Sequence, residues 1–244
     1  MRKILAIIII SMLCPSILLA DTYIKFQVHT EAYYYGGVNH PAEEAEREYW
    51  IGEDKLVFST RGRTIIFDRQ HKQLLFINHP SKIYLESSLP PDWSKLVPEA
   101  VLQQLQTWCI AGKVSEKTQP KKIGPRKCQG YDFSYWIEIE GTREYDNDAS
   151  IWVTQEVPFD LQVAQEFLGY LYILDNYNSQ VIAQLQKMSG FPIEIERIRY
   201  QQGFGIKTTE KLTEMSEQKP PPGTYTVPEG FQKKDTLNLQ DIIY

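Results

Sequence analysis

The pattern of apolar and polar positions is clearest in residues 48–89. Short runs of β-branched and aromatic residues follow one another there, and each run has the length of a single strand. Turn residues separate the runs at positions 52–54, 61–62, 68–72 and 78–80. Runs of this kind, each closed by a turn signal, predict an antiparallel β-meander.

Two strands of this meander are apolar on both faces. Residues 65–67 and 74–77 are consecutive apolar positions, and successive side chains of a strand point to opposite faces of a sheet. A sheet with one wet face would alternate instead. We therefore expect each side of these strands to be covered by a helix, a second sheet, a ligand or a partner.

Further strands are expected on both sides of the meander. Residues 22–30 alternate with period two, which predicts a first strand with one dry face. The glutamates of residues 43–46 are expected to form a solvated connector. The remaining pattern predicts strands at residues 113–122, 128–138 and 149–154, a connection at 143–148, a closing hairpin at 193–200 and 204–215, and a segment, 224–231, that packs back on the domain.

Two stretches have the period of a helix. The first begins at Pro98, carries an apolar stripe of Val101, Leu105 and Trp108, and ends at Gly112. The second covers residues 161–188, as two helices or one bent helix. Asp160 is expected to be its N-cap, and Gly190 follows its end. Strands and helices together predict an α+β fold.

The first twenty residues have the composition of a secretory signal peptide. Arg2 and Lys3 form a basic region, residues 4–13 are apolar, and Pro15 breaks this run before Ala20. A membrane anchor is the alternative reading, but the apolar run is short for a membrane span. We expect cleavage after Ala20.

Cleavage there defines the domain organisation and the compartment. Residues 1–20 are the signal peptide, residues 21–235 form a single β-rich domain, and residues 236–244 form a frayed tail. The mature protein is expected to be periplasmic or secreted, with no integral membrane span. Lipid attachment at Cys14 would need a small residue in place of Leu13.

The charge of the mature chain bears on its partners. The full chain has 26 basic and 31 acidic residues, and losing Arg2 and Lys3 leaves 24 basic residues and a net charge of −7. Nucleic acids and anionic membrane surfaces select for basic faces. Nucleic acid is therefore excluded as the main partner, and the sequence leaves the oligomeric state open.

Two cysteines, Cys109 and Cys128, remain after cleavage. In an oxidising compartment such a pair predicts one disulfide. It would close a loop of 18 intervening residues, worth about 3 kcal/mol if unstrained. Two free thiols are the alternative.

Catalytic and metal-binding motifs are missing from the sequence. The four histidines are scattered, and neither a G-x-S-x-G elbow nor an H-E-x-x-H motif is present. We therefore expect no enzyme activity, no metal and no cofactor.

A set of short motifs in a fixed order carries a family resemblance. The motifs lie at residues 50–55, 65–68, 81–84, 123–128, 190–192 and 227–231. In this order the chain resembles an uncharacterised family of exported bacterial proteins, which is itself similar to the outer-membrane lipoprotein carriers (LolA/LolB-like). The resemblance covers most of the mature chain.

The resemblance implies a strongly curved antiparallel half-barrel with two or three helices on its concave face. It also implies a periplasmic binding or carrier protein for a hydrophobic ligand, either a lipid or a lipidated protein. The residues expected to line the ligand site are Phe58, Phe67, Phe76, Tyr84 and Trp152. In the alternative, helices fill the concave face and the protein is a cell-envelope interaction module without a ligand cavity.

Overall fold

The computed structural model describes residues 20–92, 98–100, 103, 108–174, 179–201 and 204–236. Most of the expected signal peptide and nearly all of the expected tail lie outside these residues. The strands, in chain order, are β1 (Asp21–Thr30), β2 (Tyr33–Tyr35), β3 (Val38–His40), β4 (Glu43–Ile51), β5 (Lys55–Ser59), β6 (Arg63–Asp68), β7 (Gln73–Asn78), β8 (Ile83–Ser88), β9 (Trp108–Glu116), β10 (Lys121–Ile123), β11 (Arg126–Ile139), β12 (Thr142–Thr154), β13 (Phe191–Gln201), β14 (Phe204–Gln218) and β15 (Gln232–Lys234). Two helices lie entirely within the described residues, α1 (Leu161–Leu174) and α2 (Ser179–Leu185), and residues 99, 100 and 103 are also helical.

The predicted α+β half-barrel is wrong as a fold class, because the protein is mostly β. Strands make up 58% of the described residues and helices 11%. One open sheet of 13 strands dominates, in the order β10-β11-β12-β13-β14-β1-β4-β5-β6-β7-β8-β15, with β9 also paired to β11. The sheet is mixed, since β15 runs parallel to β8 while its other pairs are antiparallel. Strands β2 and β3 form a separate hairpin.

The meander predicted for residues 48–89 is confirmed as the end of β4 together with β5–β8, and its two-sided burial is confirmed as well. In β6, Ile65 and Phe67 face one side of the sheet and Ile66 faces the other, yet all three are at most 2% exposed. We call the side of Ile65 and Phe67 the inner face, because α1 packs on it. The side of Ile66 is the outer face.

Helix α1 covers the meander half of the inner face. Asp160 is its N-cap as predicted, since the Asp160 carboxylate accepts a hydrogen bond of 2.8 Å from the Gln162 amide. Phe167 is fully buried, and its ring centroid lies 5.9 Å from that of Phe67. Helix α2 packs Val181 and Leu185 against β11 and β12 instead. Of the two predicted alternatives, two helices or one bent helix over residues 161–188, the structure has two helices, which end at Leu185.

The outer face of the meander is covered by the C-terminal segment of the chain. Tyr225, Val227 and Phe231 pack on a cluster formed by Val57, Ile66 and Ile77. Strand β15 then continues the sheet beside β8. The prediction that residues 224–231 pack back on the domain is confirmed, so the protein itself fills this side of the meander.

Two expected connections are strands. The glutamate-rich residues 43–46 are the first half of β4, where Lys25 and Glu46 of neighbouring strands form an ion pair of 2.8 Å. Such cross-strand charge pairs allow a strongly polar sequence to extend. Residues 143–148 likewise belong to β12, because the chain already turns at Glu140 and Gly141, both with positive φ.

The first predicted helix is wrong at its C-terminal end. Trp108 and Gly112 lie in β9, where they pair with Ile139 and Tyr135 of β11. Glu99 is helical, whereas the stripe positions 101 and 105 lie outside the described residues. Pairing with β11 therefore overrides the helical spacing of the apolar residues from Trp108 onwards.

The predicted Cys109–Cys128 disulfide is wrong. Cys109 pairs with Glu138, ten positions along β11 from Cys128, which is about 33 Å at the rise of an extended strand. The Cα atoms of a disulfide lie about 4.4–6.8 Å apart. Cys128 is a free, buried thiol that donates a 3.5 Å hydrogen bond to the Arg126 carbonyl oxygen.

Candidate ligand-binding groove

The large sheet bends around its inner face. Strands β4 and β13 are three inter-strand steps apart, about 14 Å in a flat sheet. The ring centroids of Tyr49 in β4 and Phe191 in β13 nevertheless lie only 5.8 Å apart. The bend brings inward-facing side chains from both halves of the sheet into contact.

Three adjoining cavities lie on this face. The central cavity has a volume of about 250 Å³ and extends from β6 to β11 and to both helices. A larger polar cavity of about 550 Å³ shares Arg47, Tyr135 and Arg197 with it. A helix-side cavity of about 370 Å³ shares Leu168, Leu185 and Met188 with it. Because neighbouring cavities share lining residues, we treat the three as one groove.

The central cavity is lined mainly by aromatic and aliphatic side chains. Phe26, Tyr49, Phe58 and Phe191 come from four different strands, and their rings contact one another at centroid distances of 5.1–6.3 Å. They meet because strict alternation in each strand puts them on the same face. Pockets of this composition bind apolar ligand groups.

A cluster of charged side chains lies at and beside the polar cavity. Arg47 comes from β4, and Arg197 and Arg199 come from β13. Glu210, on β14, borders the adjoining central cavity, and only 4% of its side chain is exposed. Arg47 Nη1 donates a hydrogen bond of 2.6 Å to Glu210 Oε2, while Arg197 Nη1 lies 3.8 Å from Glu210 Oε1.

Two buried oxygen atoms at this end of the groove have no hydrogen-bond partner. They are Glu210 Oε1 and Asn147 Oδ1, and they are the only two such side-chain atoms in the part of the chain that the structure describes. Asn147 is 6% exposed and pairs with Arg199 and Tyr135 in the neighbouring strands. Buried polar groups normally have hydrogen-bond partners, so each of these two exceptions needs an explanation.

The hairpin of β2 and β3 stands beside the polar cavity. The Tyr33 and His40 rings stack at 4.5 Å, and both residues line the cavity. At the tip, Tyr34 and Val38 are about half exposed, and Tyr34 contacts the equally exposed Phe204 of β14. The cavity therefore has an exposed apolar rim on one side.

The five residues expected to line a ligand site separate into different environments. Phe58 borders the central cavity. Phe67 and Phe76 are buried in the same inner core, and Trp152 packs at its edge with the Lys121 amine 4.1 Å from its ring. Tyr84 lies on the outer face against the C-terminal segment.

The charged residues of the groove were not among the predicted site residues. A signal was nevertheless present, because Ile193 and Ile195 start an inward-facing register that continues with Arg197 and Arg199. Charges that replace apolar residues in one register of a strand indicate a polar site rather than a solvated edge. Glu210 gave the same kind of signal, because it lies in one register of β14 between Ile206 and Leu212.

Other titratable groups lie on the outer face of the meander. Burial alone would raise the pKa of Asp68, but hydrogen bonds from Lys55 and from the backbone and ring of His71 lower it to about 2. Burial lowers the pKa of His79, which lies 2.8 Å from the Thr64 hydroxyl. Among the residues that the structure describes, no group of three or more histidine, cysteine or acidic residues is placed to hold a metal ion.

Comparisons with known proteins leave the family resemblance untested. No protein-family model matches the chain, and the search of curated proteins finds no match either. Within the described ranges, no helix is long and apolar enough to cross a membrane.

Proposed function

We propose that this protein is an exported binding or carrier protein that holds a hydrophobic ligand, a lipid or a lipidated protein, in the groove of the inner face. The observation that carries the proposal is the central cavity. Aromatic residues from both halves of the sheet converge on it, and neither helix fills it. A well-formed apolar pocket with a few polar groups is the expected form of a binding site for small molecules.

The position of the helices supports the proposal. Leu168 of α1 and Leu185 of α2 line the central cavity from the side opposite the sheet. Both leucines also line the helix-side cavity. An alkyl chain in the central cavity therefore has apolar walls on two sides and a continuous path toward the helices.

The N-terminal sequence supports export. Its basic residues, its apolar run and Ala20 have the arrangement of a signal peptide. A ligand of low solubility in water is a suitable cargo for a protein released into the cell envelope. The order of short motifs shared with the family that resembles lipoprotein carriers agrees with this assignment, by analogy only.

The test uses the full chain purified from the compartment to which it is exported. We expect native mass spectrometry and solvent extraction to reveal bound lipid, and the stripped protein to take up a fluorescent long-chain fatty acid. Absence of both co-purifying lipid and uptake would contradict the proposal.

A matched pair of variants places the ligand. Ala149 and Ala111 are each 6% exposed and lie in strands, but only Ala149 borders the central cavity. We expect Ala149→Leu to reduce uptake at least tenfold by filling the cavity, and Ala111→Leu to retain uptake. Thermal unfolding of each variant verifies that it is folded, and equal uptake by both would remove the central cavity as the site.

The alternative function is a protein–protein interaction module of the cell envelope. The apolar rim formed by Tyr34, Val38 and Phe204 favours it, because exposed apolar patches mark interaction sites. In that case no lipid co-purifies, and the double variant Tyr34→Ser/Phe204→Ser loses a partner captured by the wild-type protein. Partner capture unchanged by this variant would contradict the alternative.

A further inference from the structure

We propose that the polar cavity binds the anionic head group of a single-chain amphiphile, with the hydroxyl groups beside that anion directed at Glu210 and Asn147. The inference rests on the proposed function, because it assigns the other end of the ligand whose alkyl chain occupies the central cavity. It specifies the chemical class of that ligand.

The charges around the polar cavity favour an anionic ligand. Arg47, Arg197 and Arg199 converge on the polar cavity, whereas Glu43 and the adjoining Glu210 are the acidic residues beside them. The local balance is three positive charges against two negative ones, in a chain whose net charge is −5. A positive site in an acidic protein selects anions, and guanidinium groups match the geometry of phosphate and carboxylate oxygens.

The three arginines differ in how they are paired with acidic groups. Arg47 is engaged by Glu210 at 2.6 Å, and Arg197 lies 3.8 Å from the same carboxylate. Arg199 is exposed, and no acidic group of the described residues forms an ion pair with it. Its guanidinium is therefore the donor at which an incoming anion makes a new charge-assisted hydrogen bond.

Two buried oxygen atoms without a hydrogen-bond partner favour a ligand that carries hydroxyl groups. They are Glu210 Oε1, which Arg197 Nη1 approaches only to 3.8 Å, and Asn147 Oδ1. Leaving a buried acceptor unsatisfied is costly. Glu210 lies beside Arg47, and Asn147 pairs with Arg199 across β12 and β13. An anion alone cannot satisfy an acceptor, but a hydroxyl group beside the anion donates to it. The site therefore fits an anion that carries neighbouring hydroxyl groups, such as a phosphate on glycerol.

The volumes of the two cavities favour a ligand with a single alkyl chain. The central cavity has about 250 Å³, slightly below the range of about 300–1,000 Å³ usual for ligand pockets. A single alkyl chain suits this volume better than two. The polar cavity is twice as large, with about 550 Å³, which leaves room for a hydrated head group.

The test compares three probes with the same acyl chain on the stripped full-length protein. A lysophosphatidylglycerol presents a phosphate with hydroxyl groups. A free fatty acid presents a carboxylate, and a monoacylglycerol presents hydroxyl groups without a charge. We expect the lysophosphatidylglycerol to bind at least tenfold more tightly than the monoacylglycerol. Tighter binding of the fatty acid than of the lysophosphatidylglycerol would overturn the role of the hydroxyls.

The matched variants are Arg199→Gln and Arg61→Gln. Both arginines are exposed, and Arg61, in the turn before β6, lines none of the three cavities. We expect Arg199→Gln to weaken binding of the anionic probes about tenfold and to leave the monoacylglycerol unchanged, and we expect Arg61→Gln to change neither.

The outcomes separate the two proposals. Equal affinity of wild-type protein for charged and uncharged probes, or an Arg199→Gln effect of the same size on all three, overturns the anion site and leaves the hydrophobic carrier standing. Binding of none of the probes overturns both.

Discussion

The hydroxyl group of Tyr225 donates a hydrogen bond to the carboxylate of Asp21, although 204 positions separate the two residues in the chain. This bond fastens the C-terminal segment to the start of β1 at the edge of the outer face. Burial, together with the carboxylate, raises the pKa of Tyr225 well above its ordinary value.

Removing this hydroxyl should loosen the C-terminal segment. We expect Tyr225→Phe to lower the free energy of unfolding by about 1.5–3 kcal/mol, the usual range for a hydrogen bond to a charged group. Because the pKa is raised in the folded protein, the hydroxyl contributes fully to the free energy of unfolding below about pH 10, where tyrosine is protonated in the unfolded chain as well. The contribution is lost as the pH rises above this value. Urea unfolding across this range measures it. Tyr34→Phe, at an exposed ring, is the control, and equal effects of both variants would contradict the assignment.

The Arg47–Glu210 pair should behave as a buried ion pair. Arg47→Met leaves the carboxylate of Glu210 buried with only the more distant Arg197, so we expect a loss of about 3 kcal/mol. The double variant Arg47→Met/Glu210→Met should recover most of this loss, because the buried carboxylate is removed as well, and the remaining Arg197 is 37% exposed to water. A double-mutant cycle from denaturant unfolding gives the coupling energy, and additive single effects would refute the pairing.

Asp68 should make stability depend on pH in the acid range. Its pKa is lowered to about 2 in the folded protein, and the unfolded value is about 3.9. The carboxylate therefore contributes about 2 kcal/mol above pH 4, and this contribution is lost as the pH falls from 4 to 2.

The comparison of Asp68→Asn with the wild-type protein measures this contribution. We expect the variant to be less stable at pH 7 and equally stable near pH 2. Asp132 is a suitable control, because its side chain is 54% exposed although it pairs with Lys117 at 2.7 Å. Asp132→Asn should change stability by less than about 0.5 kcal/mol at any pH.

Gly190 should accept a side chain only at a high cost in stability. Its φ is +143°, and a Cβ atom at this position would lie 2.7 Å from the carbonyl oxygen of Thr154. Gly124 also has a positive φ, but an added Cβ would meet nothing within 4 Å. We expect Gly124→Ala to cost about 1–2 kcal/mol, from the backbone conformation alone, and Gly190→Ala to cost at least about 1 kcal/mol more. Thermal unfolding of the two variants separates the clash from the conformational cost.

Cys128 should be an unlinked and poorly reactive thiol. Burial raises its pKa, which lowers the thiolate fraction at neutral pH. We expect non-reducing peptide mapping to recover the Cys128 peptide on its own, and alkylation to be slow until denaturant is added. A peptide that links Cys128 to Cys109 would contradict the strand register.

The strands that the sequence predicts correctly are those whose pattern is local. Residues 22–30 alternate without interruption, and the structure buries Ile24, Phe26 and Val28 accordingly. The closing hairpin was predicted for the same reason. In each case neighbouring residues along the chain determine the face on which a side chain lies.

The features that the sequence could not predict depend on distant partners. The glutamate-rich half of β4 forms a strand because Lys25, Gln27 and His29 of β1 form ion pairs and hydrogen bonds with its glutamates. Arg47 meets Glu210 across 163 positions. The local pattern of a single sequence does not show which distant residues pair. The charged end of the groove could therefore be identified only from the arrangement of the strands in the structure.

The position of β1 in the sheet has a consequence during synthesis of the protein. This strand lies between β4 and β14, so one of its edges stays open until residues 204–218 have been made. At typical rates of synthesis, that delay is on the order of ten to forty seconds. An open strand edge is a template for aggregation. The nascent chain therefore needs protection during this interval, and its sheet is completed only when almost the whole chain has emerged.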